Sequence, residues 1–202
     1  MTELFNSPVL RIEQPRKMIQ TQTRYDFLDE QGNLLAVATD VETLTRREAV
    51  RAVLPQGTSG AHILVLRDAD ELPLLVMRRL DNWNTAVSRP APEGEEIDDG
   101  ELIGTIRGIS TRRQFALLGP DEQELGKAVG DLRLRNFSVS DAKGRRAAQI
   151  SKKWAGLRAE VFTNADRYSV EITGKVDESL RILAIVMAVV LDLTAYESKD
   201  LV

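Results

Sequence analysis

Hydrophobic and polar residues alternate along most of the chain in short runs separated by turn residues. Four stretches share one layout, an alternating run, a polar turn and a second alternating run: 25–37, 63–77, 115–129 and 137–150. This layout is typical of β-hairpins, because the side chains of a strand point alternately to its two faces. Since no helical stretch separates the two runs of a pair, the pattern predicts an antiparallel sandwich or barrel.

The turns of the first and fourth hairpins contain residues that suit tight turns. Gly32 and Gly144 stand where a hairpin loop needs a positive φ angle, which glycine adopts at little cost. Asp29 and Asp141 precede them, and their carboxylates can accept hydrogen bonds from the backbone of the turn. The sequence therefore predicts where these two turns lie.

Two segments follow the rules of helices instead. Thr45 and Glu48 have the spacing of a capping box at the start of a short helix that Pro55 ends. We interpret this helix as a surface connection. Asp177 is a candidate N-cap for a second helix, which we expect over residues 178–194.

The second helix is hydrophobic around its whole circumference. A helix without a polar face must be surrounded in a soluble protein, and a ring of strands can surround it. The pattern therefore predicts a mainly β fold, a closed antiparallel barrel around a buried C-terminal helix, with the short helix on its surface. The apolar run 182–191 has 10 residues, whereas a bilayer core needs about 20, so we expect no transmembrane span.

Residues 81–101 form the most polar stretch of the chain. Six acidic residues stand between 93 and 101, and Pro90 and Pro92 precede them. We interpret the stretch as a loop between hairpins. Its carboxylates lack the ligand spacing of an EF-hand, which favours a solvated loop over a cation site.

The composition removes several kinds of active site. The 202 residues include no cysteine and one histidine, His62, which we expect at a strand edge. Disulfides, thiolate chemistry and histidine clusters are therefore excluded, and we expect no serine–histidine–aspartate triad. We expect a non-enzymatic protein without a cofactor, in one domain over residues 1–202, with 1–20 as a candidate loose arm. The N-terminus has no export signal, which predicts a cytoplasmic location.

Basic residues are concentrated in the third quarter of the chain. Residues 107–158 contain 12 Lys and Arg against 5 Asp and Glu, although the whole chain has a net charge of −4. Such a segment can contact phosphates of lipids, and it can also be an ordinary solvated barrel surface. The period of two puts Arg145 and Lys153 on one strand face, which we expect to be the wet one, and Arg146, Lys152 and Trp154 on the other.

The C-terminal third carries a motif with a family resemblance. It consists of an Ile-Ser-Lys-x-Trp-x-Gly strand from Ile150, a Phe-Thr-x-Ala-Asp segment from Phe162, and the apolar helix with Asp192 near its end. This third resembles that of phospholipid scramblases, and a looser similarity extends from about Tyr25. The plant LURP-one-related proteins and the tubby C-terminal domain share this superfamily. The resemblance implies a barrel of 12 strands around a central C-terminal helix.

The resemblance also implies a lipid-related function. We expect a barrel that docks on anionic phospholipid membranes at the inner membrane surface or acts as an adaptor for a protein partner; the alternatives are lipid translocation, as the family name implies, and, less favoured, carriage of a small ligand. Nucleic-acid binding is disfavoured by a pI near 5.2 and by the lack of an aromatic platform among the basic residues. The headgroup candidates are Arg112, Arg113, Arg145, Arg146, Lys152 and Lys153.

The scramblase calcium segment falls here on residues 164–175. Asn164 is neutral, Asp166 and Glu171 keep carboxylates, and Lys175 puts a cation at the closing ligand position. Because calcium requires several oxygen ligands with a net negative charge, we expect no metal at this degenerate segment.

Overall fold

The computed structural model describes residues 3–15, 23–40, 63–92, 97, 100–109, 113–153 and 167–196. These residues form a closed antiparallel barrel of twelve strands, as predicted. The helices are α1 (Glu3–Asn6) and α2 (Glu178–Tyr196). The strands are β1 (Val9–Glu13), β2 (Arg24–Leu28), β3 (Leu34–Asp40), β4 (Ile63–Asp68), β5 (Pro73–Arg79), β6 (Asn84–Ser88), β7 (Leu102–Ile109), β8 (Gln114–Leu118), β9 (Glu124–Gly130), β10 (Asn136–Asp141), β11 (Arg146–Lys153) and β12 (Arg167–Ile172).

Each strand pairs with the strand that follows it in the chain, and β1 pairs with β12 to close the ring. At this closure Ile12 stands opposite Tyr168. The expectation of a loose arm over residues 1–20 is wrong for the part that the structure describes. Leu4 and Leu10 are buried, and β1 contributes one wall of the barrel because its alternating apolar residues face the core.

The C-terminal helix α2 is buried as its apolar circumference predicts. Asp177 caps it through hydrogen bonds from the amides of Ser179 and Leu180, at 3.0 and 3.4 Å. Ten consecutive residues, 182–191, are at most 7 % exposed. The helix contacts both β1 and β7, which stand half the ring apart, so it lies between opposite walls.

Two glycines let the wall approach α2 closely. A Cβ atom at Gly104 would overlap the carbonyl oxygen of Leu118 and stand 3.0 Å from Cδ1 of Leu183. At Gly126 it would overlap the carbonyl oxygen of Ser140 and stand equally close to Leu180. Strands β7 and β9 therefore contain glycine where the helix and the neighbouring strand leave no room for a side chain.

The predicted hairpin turns are confirmed. Asp29 accepts hydrogen bonds from the amide and the side chain of Asn33, and Gly32 has a φ of 91°. Asp141 accepts from the amides of Lys143 and Arg145, and Gly144 has a φ of 78°. Local side-chain hydrogen bonds therefore set these turns.

The interpretation of residues 81–101 as a loop is wrong in part, because they contain strand β6. Thr85, Ala86 and Val87 of this strand are buried. Their run is short, so the flanking polar residues concealed it. The predicted helix from Thr45 and the expected strand edge at His62 lie outside the described residues.

The barrel has two different ends. At the α2 N-terminal end lie Asp177 and the turns that join β2 to β3, β4 to β5, β8 to β9 and β10 to β11. At the α2 C-terminal end lie Asp192 and the connections from β5 to β6, β7 to β8 and β9 to β10. The helix runs from one end to the other, since Leu180 packs near the start of β9 and Asp192 lies beside Lys152.

Candidate functional site

The predicted headgroup residues do not form a single patch. Arg145 ends the β10–β11 turn and Arg146 begins β11, both at the α2 N-terminal end, whereas Lys152 lies near the other end of that strand. The step from Arg146 to Lys152 spans about 20 Å. Arg113 precedes β8 at the α2 C-terminal end. Two candidates lie outside the described side chains: Arg112 and Lys153.

A cleft of about 520 Å³ opens at the α2 N-terminal end, between the β10–β11 turn and the segment that joins β12 to α2. Four cations line it: Lys143, Arg145, Arg146 and Lys175. Three carboxylates line it as well: Glu124, Asp141 and Asp177. Two of the six predicted residues therefore meet here, together with two lysines that the sequence analysis did not select as headgroup candidates.

The cleft's arginines differ in their partners. Arg145 forms an ion pair of 2.7 Å with Asp141. Arg146 donates to the neutral side-chain oxygen of Gln149, at 2.8 Å. Desolvation raises the pKa of Asp141, but hydrogen bonds from the amide and side chain of Arg145 outweigh it and hold this pKa below its ordinary value. Asp141 therefore stays charged and neutralises Arg145, while Arg146 keeps its positive charge unopposed by Gln149.

The opposite end of the barrel exposes hydrophobic side chains. The loop patch comprises the exposed apolar residues of three consecutive connections and their flanking strand ends: Leu80, Trp83, Ile109, Val129, Leu132 and Leu134. Leu132 is 83 % exposed, the highest value among the large hydrophobic residues described. Since β5 to β10 are neighbours in the ring, these residues occupy one side of one barrel end.

Strand pairing and packing hold the loop patch together. Ile109 stands opposite Gln114, and Gln114 stands opposite Val129, so the three side chains share the outer face. Trp83 packs over Gly108, whose amide donates to the Trp83 carbonyl at 2.7 Å. The β5–β6 connection is thereby fastened to the end of β7.

The β9–β10 connection combines apolar and basic residues. Leucine and arginine alternate through residues 132–135, between Asp131 and Asn136. Asp131 accepts hydrogen bonds from the amides of Arg133 and Arg135 and from the Asn136 side chain. The Arg135 amide contributes most to holding the pKa of Asp131 below its ordinary value. Because the carboxylate bonds to its own turn, the connection presents Leu132 and Arg133 to solvent.

The carboxylate of Asp81 likewise accepts hydrogen bonds from its own turn, in the β5–β6 connection. The Asn84 side chain donates to it at 2.6 Å, and the Trp83 amide donates at 2.7 Å. These bonds, that of the Asn84 side chain first, hold the pKa of Asp81 below its ordinary value. The carboxylates of Asp81 and Asp131 therefore accept hydrogen bonds within their own connections. Arg113 and Arg133 add positive charge beside the apolar residues.

Inside the same barrel end, Asp192 forms a buried polar cluster with three strand residues. Tyr25 and Tyr168 donate to its carboxylate at 2.9 and 3.1 Å. Nζ of Lys152 stands 3.9 Å from the carboxylate and 5.2 Å from the centre of the Tyr168 ring. Lys152 thus lies on the inward face of β11 together with Ile150, as the period of two predicts, and its partner inside the barrel is Asp192. The cluster was missed, although the motif contained both Lys152 and Asp192.

The structure describes residues 167–175 of the calcium segment. Asn164 and Asp166 lie outside the described residues. Glu171 is exposed on β12, in register with Val9 and Gln149, and Lys175 lines the cleft. No three acidic or histidine side chains gather for a metal ion within the described ranges. In those ranges, too, no helix is both long and apolar enough to cross a bilayer.

Comparisons with known proteins agree with this architecture. The model of the family described as Scramblase matches residues 9–198. An X-ray structure of a protein from Arabidopsis thaliana matches with a TM-score of 0.53 and 16 % sequence identity, over 93 % of each chain. At that identity the likeness concerns the fold. No curated protein matches the sequence.

Proposed function

The chain belongs to the Scramblase family, and we propose that it docks reversibly on anionic phospholipid membranes through the α2 C-terminal end of its barrel. Membership in the family supports a lipid-related function in general. The observation that carries the docking proposal is the loop patch, where exposed hydrophobic side chains stand beside Arg113 and Arg133.

Apolar and basic side chains both gain free energy at an anionic membrane surface. Apolar residues at loop tips gain free energy when they enter the boundary between headgroups and acyl chains. An arginine near an anionic surface adds about 1 kcal/mol. Leu132 and Arg133 are neighbours on one connection, so a shallow insertion of the leucine brings the guanidinium to the level of the phosphates.

The acidic stretch does not oppose this contact where the structure describes it. The amide of Arg89 donates to the carbonyl of Glu101 at 2.8 Å, which joins β6 to β7 at the α2 N-terminal end. Glu101 therefore lies at the end away from the loop patch. Anionic phospholipids are concentrated in the cytoplasmic leaflet, so we propose a peripheral location at the inner membrane surface.

Lipid translocation and a role as a protein adaptor are the alternatives. Docking of this kind involves no catalytic step and no cofactor. Vesicles that carry a fluorescent lipid in both leaflets distinguish docking from translocation. An impermeant quencher acts only on the outer leaflet, so lipids of the inner leaflet are quenched only if they move to the outer one. Docking predicts binding with half of the fluorescence protected.

Co-sedimentation with vesicles tests the docking itself. We expect binding to phosphatidylcholine vesicles that contain phosphatidylserine, and none to pure phosphatidylcholine. Because electrostatic attraction fades within about 8 Å at physiological salt, binding should weaken as salt is raised. Absence of binding to the phosphatidylserine vesicles at low salt would refute the proposal and leave the adaptor role as the better reading.

Two substitutions with matched controls locate the contact. Arg133→Glu reverses one charge at the loop patch and should weaken binding about 30-fold, from about 2 kcal/mol. Its control is Arg67→Glu, the same change on β4 near the opposite end. Leu132→Gln should weaken binding about tenfold, and its control is Leu72→Gln, since Leu72 is 60 % exposed in the β4–β5 turn. Equal losses in variants and controls would contradict docking at this end.

A further inference from the structure

We propose that the cleft at the α2 N-terminal end binds a single-chain anionic amphiphile, with its phosphate or carboxylate head at the rim and its apolar body on the floor. The cleft's volume of about 520 Å³ lies within the range of small-molecule sites, about 300 to 1,000 Å³. This site lies at the end opposite the loop patch and does not depend on membrane docking.

The cleft's floor is hydrophobic. Ala147 and Leu180 line it and are 2 % and 1 % exposed. Leu125 and Val176 also line it, and both are partly buried hydrophobic residues that pack against the barrel core. Ala147 and Leu180 are already covered by the protein, so Leu125 and Val176 give the floor its exposed apolar surface. A ligand with an apolar body covers that surface, whereas a bare phosphate ion leaves it in water.

The rim supplies positive charge that the carboxylates do not cancel. Arg145 is paired with Asp141, but the side chains of Lys143 and Lys175 form no hydrogen bond or ion pair with any residue that the structure describes. Arg146 bonds only to the neutral side chain of Gln149 within the same ranges. The four cations of the cleft outnumber its three carboxylates by one, so the lining keeps an excess positive charge for a ligand.

Two of the three carboxylates at the cleft are already engaged. Asp141 accepts from the amides of Lys143 and Arg145, at 3.0 and 2.8 Å. Asp177 caps α2 through the amides of Ser179 and Leu180. Glu124 is the remaining acidic side chain that lines the cleft. The capped helix terminus offers these two amides to Asp177, so the anion's partners are the side chains of the rim.

The charge and the floor together define the ligand class. A neutral amphiphile fits the floor and leaves the cations without a partner. Inorganic phosphate satisfies the cations and leaves the floor uncovered. An anionic amphiphile does both, and it could come from solution as a free molecule or from a bilayer as a lipid whose headgroup the rim contacts.

Calorimetry with octyl phosphate below its micellar concentration tests the site in the absence of vesicles. We expect octyl phosphate to bind at least about tenfold more tightly than octyl glucoside and than inorganic phosphate, a difference of one decade in Kd. Equal affinity for octyl phosphate and octyl glucoside would overturn the role of the rim. Equal affinity for octyl phosphate and inorganic phosphate would overturn the role of the floor.

Variants assign the binding to the cleft. Lys143→Glu combined with Lys175→Glu should weaken octyl phosphate binding by at least about tenfold, and Val176→Ser should weaken octyl phosphate but not inorganic phosphate. The control Arg67→Glu makes the same type of charge change near this end but outside the cleft, and should leave Kd within about twofold. Circular dichroism melting checks that each variant is folded. An unchanged Kd in the folded lysine double variant would overturn the proposal.

Vesicle binding by the same double variant identifies the source of the amphiphile. Unchanged binding to phosphatidylserine vesicles, with octyl phosphate binding lost, supports a free amphiphile. Loss of both supports a bilayer lipid at the cleft and refutes docking through the loop patch. The two proposals can therefore fail separately.

Discussion

The hydroxyl of Tyr25 donates a hydrogen bond of 2.9 Å to the carboxylate of Asp192, which lies 167 residues later in the chain. The bond joins β2 to the last turns of α2 inside the barrel. Asp192 is 1 % exposed, and a buried charge is tolerated where hydrogen bonds and an opposite charge satisfy it. Tyr168 and Lys152 complete that requirement, so four residues fasten the end of the helix to the wall.

We expect Tyr25→Phe to lower the free energy of unfolding by about 1 to 2 kcal/mol, because the buried carboxylate loses one donor while the ring remains. Asp192→Ala should cost more, about 3 to 5 kcal/mol, since the buried hydroxyls of Tyr25 and Tyr168 both lose their acceptor and Lys152 loses this carboxylate. Urea denaturation followed by circular dichroism measures both. Tyr168→Phe removes the other tyrosine donor to the same carboxylate and should lower the free energy of unfolding by a similar amount. A neutral effect of Asp192→Ala would contradict a structural role for the cluster.

Glycine substitutions should separate a packing requirement from a backbone requirement. Gly104→Ala forces a methyl group against Leu118 and Leu183, and overpacking of this kind costs about 1 to 3 kcal/mol or more. At Gly144 a Cβ atom meets nothing within 4 Å, but φ is 78°. Gly144→Ala should therefore cost only the strain of a left-handed residue, about 1 kcal/mol. Thermal unfolding of both variants tests the order, and an equal loss would contradict it.

Acid should destabilise the turns that aspartates hold. The pKa values of Asp29, Asp81, Asp131 and Asp141 are all lowered from 3.8. Depressed folded-state pKa values contribute stability above pH 3.8 that is lost as pH falls through those lower values. We expect the urea midpoint to drop between pH 5 and pH 2, both bounds being rough limits of the acid limb. In Asp131→Asn the drop should be smaller, and an unchanged drop would count against this turn.

Millimolar calcium should leave the melting temperature unchanged. Asn164 brings no charge to the family's calcium segment, and Lys175 stands at its closing position. A bound ion at about 100 times its Kd would raise stability by about 2.7 kcal/mol. Differential scanning fluorimetry with and without calcium makes the comparison, with magnesium as the control cation. A calcium-specific rise that Asp166→Ala removes would disprove the expectation.

Several features followed from the sequence because their causes are local. Asp29 and Gly32 lie within one turn, as do Asp141 and Gly144. Residues this close in the sequence are also close in the structure, so the pattern alone predicts their contacts. The start of α2 at Asp177 rests on amides two and three residues away. The family resemblance added the number of strands. β6 was missed because five residues are too few to display a period among polar neighbours.

The position of the functional surfaces was decided only by the tertiary structure. Periodicity tells which face of β11 is inward, but not that Arg146 and Lys152 belong to opposite ends of the barrel. Trp83 and Leu132 lie at the same end because β5 to β10 are consecutive strands of the ring, and Lys143 lines the cleft together with Lys175 because β11 pairs with β12. The sequence by itself determined the eight strands of the four hairpins, the turns at Gly32 and Gly144 and the buried helix, since these depend on short-range geometry and on burial of apolar faces. The antiparallel order of neighbouring strands, which brings every second connection to the same barrel end, decided which charges and exposed side chains lie together.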